Sequence, residues 1–306
     1  MIVCCGEALI DMLPREIAGE GAGYLPVSGG AVFNTAITLG RLGEKVGFFT
    51  GLSTDLFGQQ IDQSLAQSNV DASFCKRLDL PTTLAFVKLD NGHAEYAFYD
   101  ENSAGRMITE ADLQTLGDDV SALHFGAISL IPDPCGSTYE ALMVREAKKR
   151  VISFDPNIRP TFIKEEATYR ARMQRMLKLA DIIKVSDEDL AWLMPGVAFE
   201  EAAAQFIGDG ASIVLMTKGS AGVDAVTRAG ELTVPAATAT VVDTVGAGDS
   251  FNGGLLTGLS QQGLLSKTAL ANIESTALQT ALRLAADVAA ITVSRAGANP
   301  PWAEEL

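Results

Sequence analysis

The sequence predicts an α/β fold: a doubly wound, mainly parallel sheet with helices on both faces. Short β-branched or apolar runs alternate with stretches of helical period along most of the chain, as βαβ units do. At 306 residues, with 47% of them hydrophobic, the chain has ample length for a sizeable core. Near its end a loop with two glycines, Gly246-Ala247-Gly248, runs straight into an apolar-rich helical stretch, Ser250–Gln262.

The strand candidates are Ile2–Cys5, Lys45–Thr50, Ala122–Phe125, Val151–Asp155, Ile182–Val185 and Ser212–Thr217. Between them the 3.6-residue period predicts helices over Val32–Leu42, Phe57–Ser68, Ser137–Arg150, Glu165–Leu179, Asp187–Met194 and Glu200–Ile207. One longer helix is expected over Thr268–Ala289. In such a sheet, ligands gather at the carboxyl ends of the strands. Two segments break the rhythm. Met12–Ser28 holds three glycines and two prolines without a helical period. Thr82–Tyr99 reads as a hairpin, Leu84–Asp90 and Ala94–Tyr99 around an Asn91-Gly92 turn. Both are strands extra to the α/β core. No internal repeat or interdomain linker is visible, so a single domain over residues 1–306 is expected.

The net charge of −15 argues against nucleic acid and anionic membrane as partners. Cys4, Cys5, Cys75 and Cys135 form no C-x-x-C pair. Cys4 and Cys5, adjacent in a strand, point to opposite faces. A reduced cytoplasmic protein is the expectation. Two histidines, His93 and His124, leave little for a His-based metal cage or triad. The N-terminus lacks the leading positive charge of a signal peptide, and no apolar run reaches membrane-spanning length.

The chemistry concentrates in Asp243-Thr244-Val245-Gly246-Ala247-Gly248-Asp249. A glycine loop entering a helix leaves backbone N–H groups free and pointing one way, and the helix dipole adds positive charge there. That is a place for a negative charge in transit. Asp249, at the mouth of that turn, is placed to accept a proton from an attacking hydroxyl, the arrangement phosphoryl transfer to an alcohol needs. The order D-T-x-G-A-G-D resembles the C-terminal signature of the ribokinase-like (PfkB) carbohydrate kinases. The resemblance implies a ribokinase-like fold with a small β-sheet lid over the sugar, formed by segments near 12–28 and 82–99. It makes Asp249 the catalytic base and Gly246, Ala247 and Gly248 the anion hole.

Other motifs follow in family order over nearly the whole chain. Ser28-Gly29-Gly30-Ala31-Val32-Phe33-Asn34 resembles the family's G-G-x-x-x-N, which assigns Gly29, Gly30 and Asn34 to the sugar site. Asp11, just past the first strand, matches the family's sugar-binding Asp. Asp155, Asn157 and Arg159 lie at alternate positions and share one side if the stretch is extended. The family's D-x-N-x-R there makes Arg159 a phosphate or sugar contact. Where the family shows N-x-x-E, tied to magnesium and phosphate, this chain has Ser186 and Asp189. A shorter carboxylate can still act on Mg²⁺ through water. The same residues also read as a helix cap. Thr217-Lys218-Gly219-Ser220-Ala221-Gly222 resembles the nucleotide loop. Carbonyls around Asp243, Val245, Arg295 and Gly297 match the segments that hold a monovalent cation, K⁺, in potassium-activated members.

The implied activity is transfer of the γ-phosphoryl group of ATP, with Mg²⁺, to a sugar hydroxyl. Tyr96–Asp100 and Arg295–Trp302 look most like bacterial fructokinases, so fructose at O6 is the expected acceptor. Phe98 on the lid hairpin offers an aromatic face to a neutral sugar, and the lid is also a candidate contact for a homodimer. Arg106 keeps an acid sugar such as 2-keto-3-deoxygluconate open, beside ribokinase-type activity. A dinucleotide oxidoreductase fits poorly, because the third fingerprint position is Phe251. No Gly-Lys pair exists for a P-loop. A non-catalytic sugar-binding protein on the same fold is a third class, and the intact Asp249 argues against it.

Overall fold

The structure is a computed structural model that describes residues 1–17, 19, 21–90 and 93–306, with side chains outside 87–96. In chain order the strands are β1 (Ile2–Cys5), β2 (Leu9–Ile17), β3 (Gly21–Gly29), β4 (Val46–Phe49), β5 (Gly51–Ser53), β6 (Val70–Asp71), β7 (Lys76–Leu78), β8 (Leu84–Asp90), β9 (His93–Tyr99), β10 (Ala122–Gly126), β11 (Val151–Asp155), β12 (Ile182–Ser186), β13 (Ile213–Thr217), β14 (Val223–Thr227) and β15 (Gly230–Val234). The helices are α1 (Ala31–Arg41), α2 (Leu56–Gln67), α3 (Cys135–Glu146), α4 (Glu166–Leu177), α5 (Asp187–Leu193), α6 (Phe199–Asp209), α7 (Ala247–Gln261), α8 (Lys267–Ala271) and α9 (Ser275–Val293).

The large sheet has the order β15-β14-β13-β12-β11-β10-β1-β4-β6. It is parallel from β13 to β6, and β14 and β15 add an antiparallel edge. Its central strands are apolar because both faces are covered. Ile2 and Cys4 of β1 join one core layer with residues of α1, α7 and α9. Val3 and Cys5 join the opposite layer with α3, α4 and α6. The two cysteines therefore face different layers, and all four are free and buried. No helix among the described residues is long and apolar enough to cross a membrane.

The two irregular segments form a separate four-stranded sheet, β3-β2-β8-β9. It begins at Leu9 rather than Met12, so Asp11 lies within it. Register puts Asp11, Ala85 and Phe98 in one row across the sheet. Phe86 on the opposite face meets Tyr24 at 5.1 Å and Tyr99 at 5.5 Å between ring centres, and both tyrosines are exposed. The Asn91-Gly92 turn lies outside the described residues.

Two expectations need correction. The single helix over Thr268–Ala289 is two, α8 and α9. Leu270, Ile273 and Leu278 keep a helical apolar spacing, but Ile273 reaches the core from a turn, and Glu274 is in an extended conformation. The hairpin β14–β15 was not anticipated, although its alternating Val223, Ala225 and its Ala229-Gly230 turn carry the pattern.

Helices α7 and α9 touch backbone to backbone. A Cβ on Gly254 would lie 2.7 Å from Ala285 Cα, and one on Gly258 would lie 2.7 Å from Ala281 Cα. Gly254→Val should therefore overpack the contact and cost about 1–3 kcal/mol. A denaturant midpoint equal to that of the parent protein would contradict this packing.

Candidate active site

Helix α7 runs 15 residues from a cap at Gly246, whose φ of 77° is left-handed and suits glycine. The N–H of Ala247 closes the turn on the Thr244 carbonyl at 3.3 Å, whereas those of Gly248 and Asp249 have no acceptor among the described residues. Of the three amides expected from the motif, only that of Ala247 is engaged; those of Gly246 and Gly248 have no acceptor among the described residues, and that of Asp249 adds to them. Asp249 sits buried in the first turn, and its Oδ2 accepts a hydrogen bond from Asn34 Nδ2 at 2.9 Å. The Thr35 hydroxyl donates to the Asp249 carbonyl at 3.2 Å, tying α1 to α7. Burial pushes the Asp249 carboxyl up to about 7. The Asn34 hydrogen bond lowers it, Asp155 raises it, Lys184 lowers it and Glu7 raises it.

Beneath this turn lies a second charged group. Lys184 Nζ donates to Asp155 Oδ2 at 2.8 Å, and Asn252 Nδ2, one turn along α7, donates to the same oxygen at 2.7 Å. Neither Lys184 nor Asn252 was singled out from the sequence. A lysine inside the otherwise apolar strand IIKVS was the available signal.

Of the residues expected at the sugar site, Asn34 meets Asp249, Gly29 and Gly30 lead into α1, and Asp11 and Phe98 lie in one row of the small sheet. Asp11 Oδ2 sits so close to Gly29 that a Cβ there would be 2.3 Å away, which is why the position is glycine. Burial raises the Asp11 carboxyl to about 6. Gly30 caps α1 without a side-chain bond; Glu7 Oε1 instead accepts from Ala31 N at 3.0 Å, and Glu7 Oε2 accepts from Ser129 N at 3.2 Å. Glu7, Phe98, Arg106 and Phe162 line a cavity of about 490 Å³. The Phe98 and Phe162 rings meet at 4.5 Å between centres, tilted by 60°. Arg106 is not a free cation there: Nη1 reaches Asp100 at 3.4 Å and Nε donates to the Asp133 carbonyl at 3.3 Å.

The remaining sequence candidates are mostly engaged with partners of their own. Asp155, Asn157 and Arg159 do not share one side. Asn157 has a φ of 41°, which breaks the extended run, and Arg159 is exposed and bonded to the Ile158 carbonyl. Asp189 is fully engaged as a cap: Oδ2 accepts from Ser186 N and Oγ, and Oδ1 from Ile158 N at 2.7 Å. Lys218 is paired with Asp224. Thr217 ends β13, and Gly219 and Gly222 bound the short turn into β14. Arg295 is paired with Glu305. Asp243 joins the two cation-candidate segments, accepting from Val245 N at 3.0 Å and Gly297 N at 2.9 Å. The C-terminal segment is also part of the turn's support. Ala298 lies where a Cβ on Gly246 would be 2.5 Å away, and Arg41 of α1 holds Asn299 Oδ1 at 2.7 Å and the Pro300 carbonyl at 2.8 Å.

A buried carboxyl group beside free amides at a helix start is an arrangement that phosphoryl transfer to an alcohol can use. A family model described as pfkB family carbohydrate kinase matches residues 1–305. The chain belongs to this family and is a carbohydrate kinase. It is 54% identical over 279 residues to a fructokinase of Rhizobium leguminosarum bv. trifolii, covering 91% of this chain and 86% of that one. The crystal structure of a fructokinase from Xylella fastidiosa with bound ATP superposes with a TM-score of 0.89 at 32% identity, covering 97% of this chain and 93% of that one. A double-mutant fructokinase from Vibrio cholerae O395, in fructose, ADP and potassium ion bound form, gives 0.84 at 26% identity, with 97% and 93% covered.

The raised Asp249 carboxyl has a stability consequence. The folded protein holds this proton more tightly than the unfolded chain, so stability is full below about pH 4 and is lost as pH rises through about 7. Asp249→Asn should leave the melting temperature unchanged near pH 4 and raise it at pH 8, where the stability gained is at most ~4 kcal/mol. A lowered melting temperature at pH 8 would refute the buried-carboxylate account.

Proposed function

We propose that this chain transfers the γ-phosphoryl group of ATP to O6 of fructose, with Asp249 taking the hydroxyl proton. The observation that carries the reading is the Asn34–Asp249 hydrogen bond beside the unpaired Gly248 and Asp249 amides. The bond aims the carboxylate. The O6–H bond breaks toward Asp249 as O6 joins phosphorus, and ADP leaves. The transition state is loose, so alignment counts for more than basicity. The free amides, with Gly246 and Ala247 shaping the turn, face the charge that develops.

Asp11, Gly29, Gly30 and Asn34 form the sugar end, and Phe98 closes it from the small sheet. We read that sheet as a lid that excludes water; it is an insertion into one ribokinase-like domain. Its exposed Tyr24–Phe86–Tyr99 face suits a second copy of the chain. Ser186, Thr217, Lys218, Gly219 and Gly222, at the ends of β12 and β13, mark the nucleotide side. Among the described residues, no group of three or more His, Cys, Asp or Glu is placed to hold a metal. With both Asp189 oxygens engaged, the chain offers no direct cage, so Mg²⁺ fits here on the phosphates and its own waters. Bound there, it would neutralise phosphate charge. A K⁺ ion fits the carbonyls near Asp243, Val245, Arg295 and Gly297, since the Asp243 carboxylate is spent holding the segments together. Arg106, the cation the sequence offered for an acid sugar, is already engaged, which favours neutral fructose.

Asp249→Asn should lower kcat by roughly 10²–10⁴ with fructose binding retained; near-normal turnover would remove Asp249 from the base role. For the parent enzyme, the acid limb of kcat/KM should fall near pH 7, because the free enzyme must ionise Asp249. A limb at pH 4 would contradict it. In an ADP-release assay, fructose should give a higher kcat/KM than 2-keto-3-deoxygluconate by more than about tenfold. The reverse preference would leave a kinase but exclude a fructokinase.

A further inference from the structure

The buried Lys184–Asp155 pair is more than a staple between β11 and β12. The Lys184 ammonium has three N–H donors, and its one acceptor among the described residues is Asp155 Oδ2. Asp155 Oδ1 is buried with no partner among the described residues. Burying two ions is costly unless their remaining donors and acceptors are met, and a pair kept for structure alone would meet them. Here the spare capacity lies at the glycine turn: a Cβ on Gly248 would stand 3.1 Å from Lys184 Nζ. Asn252, on the same helix as Asp249, fixes Asp155 from the other side.

We propose that Lys184 is a positioning residue for phosphoryl transfer, an ammonium held beneath Gly248 by Asp155, which Asn252 fixes in turn, where it adds positive charge to the free amides above and acts on the Asp249 carboxylate. This rests on the reading of Asp249 as the base. Among the described residues, Asn34 from α1 meets the Asp249 carboxyl directly, and Asp155 from β11, Lys184 from β12 and Glu7 from the β1–β2 loop act on it through their charge. Asn34 and Lys184 favour its ionised form, whereas Asp155 and Glu7 oppose it. Lys184 and Asp155 therefore act on the base in opposite directions, which a purely structural pair has no reason to do through turnover.

Three variants and a control decide the matter with ATP and fructose. Lys184→Met should lower kcat roughly 10²–10³-fold, leave the fructose KM within about threefold, and move the acid limb of kcat/KM to higher pH. Asp155→Asn should move that limb to lower pH. Since Met alone strands the Asp155 charge, Lys184→Met/Asp155→Asn removes both charges and keeps a neutral, packable interior. With a melting temperature near that of the parent, its kcat should stay low. Recovery of kcat to within about threefold of the parent, or acid limbs that do not separate, would overturn the proposal. Asp249→Asn is the control. If it loses turnover while the Lys184 variants keep theirs, only the role of Lys184 fails; if Asp249→Asn turns over normally, the phosphoryl-transfer reading fails first.

Discussion

One hydrogen bond, from Asn34 Nδ2 to Asp249 Oδ2, joins side chains 215 residues apart in sequence and organises the site. It forms because two helices start at the same edge of the sheet and lie against each other. Gly253 makes that approach close, since a Cβ there would meet Thr38 of α1 at 2.5 Å. The contact of α7 with α9 at Gly254 and Gly258 presses α7 into place from the other side. A carboxylate aimed by a distant amide needs this rigidity, because misplacement of about 1 Å can cost 10²-fold in rate.

Four carboxylates meet near this point, and each is accommodated differently. Glu7 takes two backbone amides, one from the start of α1. Asp155 has a lysine and an asparagine. Asp249 has a single side-chain donor and no direct cation, and Asp11 leans on a glycine. Burial pushes the last two up, Asp249 to about 7 and Asp11 to about 6. Catalytic sites hold such groups at a cost to the fold.

Much of this was legible in the sequence. The β1 to β13 alternation, the G-G-A-V-F-N turn and the D-T-V-G-A-G-D turn each carry a local pattern strong enough to read, and the family resemblance fixed their order. What escaped depends on facts that period and spacing do not hold. Asn157 flips into left-handed backbone, so the even spacing of Asp155, Asn157 and Arg159 misleads. Ile273 is apolar at a helical position yet buried from a turn. Lys184 stands out as a lysine in an apolar strand, but its role comes into view only with its partner Asp155, 29 residues earlier on the neighbouring strand. Arg106 reads as an available cation until Asp100 and the Asp133 carbonyl are seen to hold it.

The support of Gly246 by Ala298, and the grip of Arg41 on Asn299 and Pro300, bind the start of the chain to its far end. During synthesis the N-terminal strands and α1 emerge first, followed by the rest of the large sheet. The glycine turn, however, lacks its backing until residues near 300 have cleared the ribosome. Contacts of such long sequence separation form late, since the loop they close must be ordered first. A nascent chain of this kind can fold most of its core while its catalytic turn is still unbuilt, so phosphoryl transfer begins only when synthesis of this segment is finished.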